Sequence, residues 1–164
     1  MKMSMKCRYG LRALVDLAVF SEQGHVALHE IAKRQEISLK YLEQDFSILR
    51  RAGIVKSVKG AQGGYHLSRP ASEIRLSEII AVLEGDLLLI EVDDSEQTDI
   101  RSFLTYNMWT LMNRSVQDIL HSLALSDLVD DYREQQLGEG MYFILSKYDI
   151  TCGGTAIFLT KMLS

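Results

Sequence analysis

The stretch that decides the fold lies at residues 37–68 and reads ISLKYLEQDFSILRRAGIVKSVKGAQGGYHLS. Its first half predicts an amphipathic helix with an N-cap at Ser38, an end near Arg51 and a closing glycine at Gly53. Its second half predicts two short strands around a glycine-rich turn. The apolar stripe of the predicted helix consists of Leu39, Leu42, Phe46 and Leu49.

Two further helices are predicted on the N-terminal side of this stretch. Residues 4–20 repeat apolar positions at helical spacing, and residues 28–35 do so over a shorter run that breaks at Ile37 and Ser38. Two short helices joined by a tight turn and preceded by a third are typical of a helix-turn-helix, whose second helix enters the major groove of DNA. The helix at residues 38–51 is therefore the predicted recognition helix.

The side of this helix opposite the apolar stripe carries polar side chains that can read bases. Lysine can donate to guanine, glutamine can pair with adenine, and glutamate can accept from cytosine. A charged helix surface that is merely solvated is the alternative interpretation. The residues on this side are Lys40, Tyr41, Glu43, Gln44, Ser47 and Arg51.

The predicted hairpin favours the DNA-reading interpretation. Residues 54–59 and 65–68 form its strands, and the glycines at residues 60–64 would let the backbone come close to a phosphate or to the minor groove. Lys56 and Lys59 supply positive charge on the first strand. The loop is not a nucleotide-binding fingerprint, because it has no following Lys-Ser/Thr and no strand–loop–helix order. The hairpin is interpreted as a wing.

The charge of the chain is divided unevenly. Residues 1–69 carry twelve Lys and Arg against six acids, and residues 70–164 carry six against sixteen, so charges of +6 and −10 sum to the net −4. A basic first segment joined to an acidic remainder indicates a polyanion partner for the first segment alone. Chance asymmetry between solvated faces is the alternative.

The remaining chain predicts a mainly α architecture with a small β-wing. A short helix from Leu76 to Gly85 is expected to pack on the wing and the first helix, and residues 86–99 form an acidic loop. Residues 100–123 then give a long helix whose apolar stripe is too wide for so small a domain to cover, which predicts pairing with a second copy. The predicted divisions are a winged helix-turn-helix domain at 1–85, the loop at 86–99, a dimerisation region at 100–137 and a C-terminal element of unassigned role at 138–164.

Several other classes of protein are disfavoured. The apolar runs are too short to span a membrane, and a cytoplasmic protein is expected. Cys7 and Cys152 lie near opposite ends of the chain, which suits neither a disulfide framework nor a zinc site and favours a reducing compartment. No motif places a nucleophile beside a base, so an enzyme is not expected. A winged helix that binds protein instead of DNA remains an alternative.

Four segments resemble the IscR/CymR-type family of bacterial winged-helix transcriptional regulators. Residues 3–11 resemble the opening of that family, residues 37–44 its recognition helix, residues 50–55 the exit from that helix, and residues 59–65 its wing. Residues 79–85 and 141–144 are most similar to the cysteine-metabolism branch. The resemblance implies a dimeric repressor that contacts a roughly palindromic operator.

The resemblance also implies which residues bind DNA. The recognition helix would serve the major groove, the wing would serve the backbone or minor groove, and Arg8 would add a phosphate contact from the first helix. For each residue, plain solvent exposure is the alternative. The implied residues are Arg8, Ser38, Lys40, Tyr41, Glu43, Gln44, Lys56, Lys59, Gly60, Gln62, Gly63 and Gly64.

The chain departs from the cluster-binding relatives in one loop. Those relatives place three cysteines before the long helix, where a [2Fe–2S] centre finds its thiolates. Residues 86–99 contain no cysteine, and carboxylates are poor ligands for such a cluster, so a protein without an iron–sulfur cluster is predicted. The tail at residues 145–164 also continues beyond the point where cluster-free relatives tend to stop. Its role is not predicted.

The signal that such a regulator senses has several candidates. Cys7 follows Lys6 and precedes Arg8, neighbours that would lower a thiol pKa and make Cys7 a redox switch, although a small buried side chain is the alternative. The acidic loop could bind a hard cation, although a solvated loop is the stronger interpretation. A partner enzyme such as cysteine synthase is a third candidate, which the resemblance implies. The loop carboxylates are Glu91, Asp93, Asp94 and Glu96.

Overall fold

Three helices open the chain, and their bounds follow the sequence pattern. In a computed structural model, which describes residues 3–21, 24–60, 62–85 and 99–136, they are α1 (Met5–Phe20), α2 (Leu28–Gln35) and α3 (Leu39–Arg51). The Ser4 side chain begins α1 by accepting a 3.1 Å hydrogen bond from the Cys7 amide. Helix capping thus sets the start of α1 where the sequence predicts it.

A buried ion pair fastens α2 to α1. The Asp16 side chain is only 3% exposed, yet it accepts hydrogen bonds from Arg34, at 2.6 Å, and from the side-chain amide of Gln35, at 2.7 Å. Between α2 and α3 the backbone reverses at Glu36, which has a positive φ of 53° that non-glycine residues rarely adopt. These contacts fix the helix-turn-helix.

The predicted wing is an antiparallel hairpin. Strands β1 (Val55–Val58) and β2 (Gly64–Leu67) pair with Val55 opposite Leu67 and Val58 opposite Gly64. A backbone bridge joins Val26 to Tyr65 through two 2.8 Å hydrogen bonds and attaches the hairpin to the chain that leads into α2. The mainly helical fold with a small sheet, as predicted, is confirmed.

The core of this domain lies where α1, α3 and α4 (Leu76–Glu84) meet. Gly85 ends α4 at the predicted residue, with φ of 89°. One position of the predicted α3 stripe is wrong, because Leu39 is 40% exposed at the first turn of the helix, while the rest of the stripe is fully buried. Fully buried side chains of the core include Leu14, Leu17, Ile31, Leu42, Phe46, Leu49, Ile54, Ile74 and Ile79.

The long helix predicted at residues 100–123 forms as three continuous segments. They are α5 (Asp99–Leu104), a π-helical turn (Thr105–Trp109) and α6 (Thr110–Ser122), called here the long helix. Two backbone hydrogen bonds join its end to the start of α4, from Leu76 N to Leu123 O at 2.9 Å and from Leu125 N to Ile74 O at 2.8 Å. The long helix is therefore attached directly to the winged domain.

A further helix, α7 (Leu125–Gln136), was not predicted as a separate element. The chain divides into two compact units after Ser126, so most of α7 belongs to the second unit. In the ranges that the structure describes, no helix has the length and apolarity needed to cross a membrane. The acidic loop up to residue 98 and the element at residues 138–164 lie outside the described residues.

Candidate nucleic-acid interface

The α3 helix has one buried side and one exposed polar side. Leu42, Phe46 and Leu49 are fully buried against the rest of the domain. Ser47, also predicted on the polar side, is half-buried, whereas all the positions that the resemblance assigns to base contact are exposed. Their side chains are thus available to a partner. These residues are Ser38, Lys40, Tyr41, Glu43 and Gln44.

The first turn of α3 leaves hydrogen-bonding groups open to the outside. Ser38 occupies the N-cap position with an extended ψ of 128°, but its side chain makes no capping hydrogen bond to the helix. The Ser38 hydroxyl can therefore donate to a partner and accept from it. The positive end of the helix dipole, together with first-turn amides that have no side-chain cap, favours an anionic group such as a DNA phosphate.

Aromatic contact holds one of the exposed side chains of α3 in place. The Tyr41 ring is 54% exposed and packs edge-on against the Tyr9 ring of α1, with centroids 6.4 Å apart. The Arg12 guanidinium lies 6.0 Å from the centroid of the Tyr9 ring. Edge-to-face rings attract each other, so Tyr41 is oriented before any partner arrives.

The wing carries two exposed lysines and an exposed tip. Lys56 and Lys59 are exposed on and just after β1, and Gly60 turns the chain with φ of 122°. Gln62 is exposed at the tip, and its carbonyl oxygen lies 2.5 Å from His25 Nε2, which donates to it. His25 was missed from the sequence, because its role depends on a contact with a residue 37 positions away.

Two glycines of the wing pack closely against backbone atoms. Gly64 is buried, and a Cβ there would lie 2.4 Å from the Val26 carbonyl oxygen, so a side chain would push the hairpin off the bridge to Val26. Packing against Val26 gives Gly64 a structural role, and its predicted contact with DNA stays a prediction. Gly63 is half-buried, and a Cβ there would lie 2.3 Å from the Val58 carbonyl oxygen, so glycine is needed to close the turn.

The recognition helix and the wing meet at an open groove of about 750 Å³. Predicted residues from both elements line it, including Glu43 from α3 and Lys59 from the wing. Sequence reasoning identified these two sets separately, and the fold brings part of each set to this groove. Gly64 also lines it, whereas Ser38, Lys40, Tyr41, Gln44 and Lys56 do not. The groove is also lined by His25, His29, Glu30, Leu39, Gly60, Gln62 and Gly63.

Among the described residues, the ion pairs of the domain leave positive charge near this surface. Arg34 binds Asp16, and Arg69 binds Glu78 at 2.5 Å, so these two arginines are engaged. Arg50 and Arg51 are exposed at the end of α3, and Arg50 Nη1 lies 3.5 Å from the Ser57 hydroxyl on β1. Arg50 is a candidate phosphate contact that was missed, although its place beside Arg51 was a usable signal. Arg8 is also exposed, as predicted for a phosphate contact from α1.

Cys7 lies in the core rather than at the surface. Its side chain is fully buried in α1, and burial together with the nearby Glu84 carboxylate raises the pKa of the thiol to about 11. The prediction that charged neighbours lower this pKa is wrong, because the effect of Lys6 is smaller than that of burial. The thiol is protonated and shielded near neutral pH, which disfavours a redox switch at Cys7.

Metal-binding groups are not clustered in the described ranges. Within them, no set of three or more His, Cys, Asp or Glu side chains is arranged to hold a metal ion. The four carboxylates of the acidic loop and Cys152 lie outside these ranges, so their predicted roles stay predictions.

Comparison with known proteins gives consistent relatives. The profile of the Rrf2 family, described as an iron-dependent transcriptional regulator, matches residues 3–131. The chain is 42% identical over 135 residues to the HTH-type transcriptional regulator IscR of Cereibacter sphaeroides, a match that covers 79% of this chain and 87% of that protein.

Solved structures give the same result. The chain resembles CymR, the global cysteine regulator of B. subtilis, with a TM-score of 0.71 and 38% identity over 79% of this chain and 97% of that one. It also resembles IscR of T. potens, with a TM-score of 0.69 and 41% identity over 85% of this chain and 94% of that one. These relatives are regulators and not enzymes.

Proposed function

The chain belongs to the Rrf2 family of transcriptional regulators, and on that premise we propose that it is a homodimeric repressor of a roughly palindromic operator. The observation that carries this proposal is the groove where α3 and the wing meet. Glu43 and Lys59 line that groove, and exposed Gln44 and Tyr41 extend the polar surface along α3. A helix with such side chains reads base edges, while wing lysines bind phosphates. A protein bound to DNA in this way acts in the cytoplasm.

The exposed side of the long helix supports the dimer. Ile100 is 75% exposed, Phe103 63% and Leu111 60%, although each is large and apolar. Leaving such side chains in water forgoes about 1.5–3 kcal/mol of burial free energy for each one. A second copy of the same helix would cover them, and a two-fold dimer would present two recognition helices to two half-sites.

We further propose that the regulator works without an iron–sulfur cluster, unlike relatives named for one. The residues present do not fit the group. A [2Fe–2S] centre needs several accessible thiolates or imidazoles in one place, whereas Cys7 is buried with its thiol protonated and residues 86–99 contain no cysteine. Anaerobically purified protein should show no visible absorption bands and no stoichiometric iron or sulfide. Their presence would overturn this part of the proposal.

The proposed target genes are those of cysteine and sulfur metabolism or of the redox response. The likeness to a protein described as a global cysteine regulator supports the first class. Because Cys7 is shielded, the sensing step is assigned to a partner, and cysteine synthase is the partner to test by pull-down. Capture of cysteine synthase by the wild-type protein would support this step, and failure of purified cysteine synthase to alter operator affinity would contradict it.

The first experiment is equilibrium binding of the reduced protein to the DNA immediately upstream of its own gene. Tight binding that resists scrambled competitor and weakens steeply with salt is the expected result. Equal affinity for scrambled DNA would contradict a sequence-specific regulator. Absence of binding to either DNA would favour a protein-interaction role for the winged helix.

A further inference from the structure

A carboxylate is buried on the core side of the recognition helix. Asp45 belongs to α3 and is 2% exposed, and its Oδ2 atom has no hydrogen-bond partner in the described part of the chain. Buried polar groups are normally paired, since an unpaired one destabilises the folded state. Asp45 is therefore an unusual residue for a core position and calls for a role.

Asp45 lies at the junction of three helices. A Cβ added to Gly10 of α1 would lie 3.4 Å from Asp45 Oδ2 and 2.7 Å from Leu83 Cδ1 of α4, so backbone and side chains approach closely here. Cys7, one turn before Gly10, is fully buried and senses the charge of Asp45. A side chain on Gly10 would displace the Leu83 side chain, and the junction holds Asp45 away from water.

Few charged groups act on Asp45 at this junction. Lys6 of α1 favours the ionised carboxylate, and its effect is smaller than that of burial. Glu84 of α4 acts on Cys7 and accepts hydrogen bonds from the backbone and hydroxyl of Ser4. Helix α2 and strand β1 also pack on α3, and in the described residues they bring no charge that shifts Asp45. The junction therefore favours the neutral acid.

Burial raises the pKa of Asp45 from 3.8 to about 6. A carboxyl group whose pKa is higher in the folded state than in the unfolded chain stabilises the fold fully at low pH. That contribution is lost as the pH rises through about 6, because the folded protein must then hold an unpaired carboxylate in its core. Stability of the domain should fall across this range.

We propose that Asp45 makes the packing of the recognition helix α3 sensitive to pH. The helix packs firmly on the core when the Asp45 carboxyl group is neutral and loosely when that group is ionised. Operator affinity then rises on acidification and falls on alkalinisation. This part rests on the proposed function, because α3 is there the base-reading helix. The ligand that Asp45 binds is a proton.

The test compares the full-length wild-type protein with Asp45→Asn, which keeps the shape and removes the titration. Urea unfolding from pH 5 to pH 8 should show the wild type losing stability relative to Asp45→Asn as the pH rises. Parallel curves would overturn the proposal. Asp118→Asn, at a 74% exposed side chain of the long helix, is the matched control and should follow the wild type. If Asp45→Asn misfolds, carboxyl NMR of the wild type gives the pKa of Asp45 directly. A pKa near 4 would overturn the proposal.

Operator binding measured over the same pH range tests the regulatory step. Wild-type affinity should fall several-fold relative to Asp45→Asn between pH 5.5 and pH 7.5, while the effects of the histidines cancel because both proteins contain them. Unfolding curves that diverge while the binding curves stay parallel would overturn the regulatory step. Absence of binding by both proteins at every pH would contradict the proposed function. The unfolding curves would still decide whether ionisation of Asp45 weakens the packing of α3.

Discussion

The winged domain at residues 3–85 and the long helix at residues 99–122 differ in how far their apolar side chains are buried. In the winged domain, Leu14, Phe46 and Ile79 are fully buried, and four helices and a hairpin supply the cover. On the long helix, Phe103 and Leu111 are more than half exposed. The difference teaches that the first region completes its core within the described part of one chain, whereas the second has an apolar side that the described residues leave exposed.

The strongest way to break this comparison is to make the long helix unable to pair. The double substitution Phe103→Asp and Leu111→Asp should give a monomer by sedimentation and lower operator affinity by at least about 100-fold, because two linked half-site contacts become one. The winged domain should keep its fold, since neither side chain is in its core.

The matched control for the long helix is Phe103→Leu with Leu111→Met. It keeps the surface apolar and should leave the dimer and its operator affinity within a few-fold of the wild type. A charged variant that stays dimeric would show that the exposed side of the long helix is not the interface.

The second prediction concerns base reading by the winged domain. Gln44→Ala should weaken operator binding by about 10- to 100-fold, since a side chain paired with a base contributes about 1–3 kcal/mol of discrimination. Affinity for scrambled DNA should change little. Gln136→Ala, at an exposed glutamine of α7, is the control and should bind like the wild type. Equal losses on operator and scrambled DNA would assign Gln44 to the backbone.

A smaller effect is expected at the wing. Lys56→Ala and Lys59→Ala should each weaken binding to operator and to scrambled DNA by a similar factor, and each should lower the slope of log affinity against log salt by about 1. Arg114→Ala removes an equal charge from the long helix, where the side chain is 80% exposed, and should leave the slope unchanged. A wing variant with an unchanged slope would show that its lysine does not touch phosphate.

The smallest effect is expected at Cys7. In a Cys152→Ser background at pH 7.5, Cys7 should react slowly with a thiol reagent in the native protein and rapidly in urea, because the thiol is buried and its pKa is raised to about 11. Cys7→Ser should leave the oxidant sensitivity of DNA binding as it is. Rapid native reaction would reopen a redox role for Cys7.

Local signals in the sequence were sufficient for most of the winged domain. Ser4 caps α1, Gly85 ends α4, and alternating runs around a glycine-rich turn give the hairpin, because capping and turn preferences act within a few residues. The exposed side of α3 followed from helical periodicity in the same way. The family resemblance agreed with each of these features.

Features set by distant residues were beyond such reasoning. The neighbours of Cys7 in sequence suggested a lowered pKa, but Glu84, 77 residues later, and burial act in the other direction. Gly64 was predicted as a DNA contact of the wing, and its packing against Val26, 38 positions earlier, gave no signal in the sequence. The π-helical turn at Thr105–Trp109 leaves the apolar pattern nearly unchanged and gave no signal.

The connection between the long helix and the winged domain is made by main-chain hydrogen bonds. They run from Leu76 to Leu123 and from Leu125 to Ile74. In the proposed dimer, this connection holds each winged domain at the end of a long helix. It therefore fixes the distance between the two recognition helices. Almost any amino acid can supply the same main-chain groups. Descendants of this protein can therefore replace side chains on the surface or within the dimer contact, and acquire new operator sequences, while inheriting the same half-site spacing.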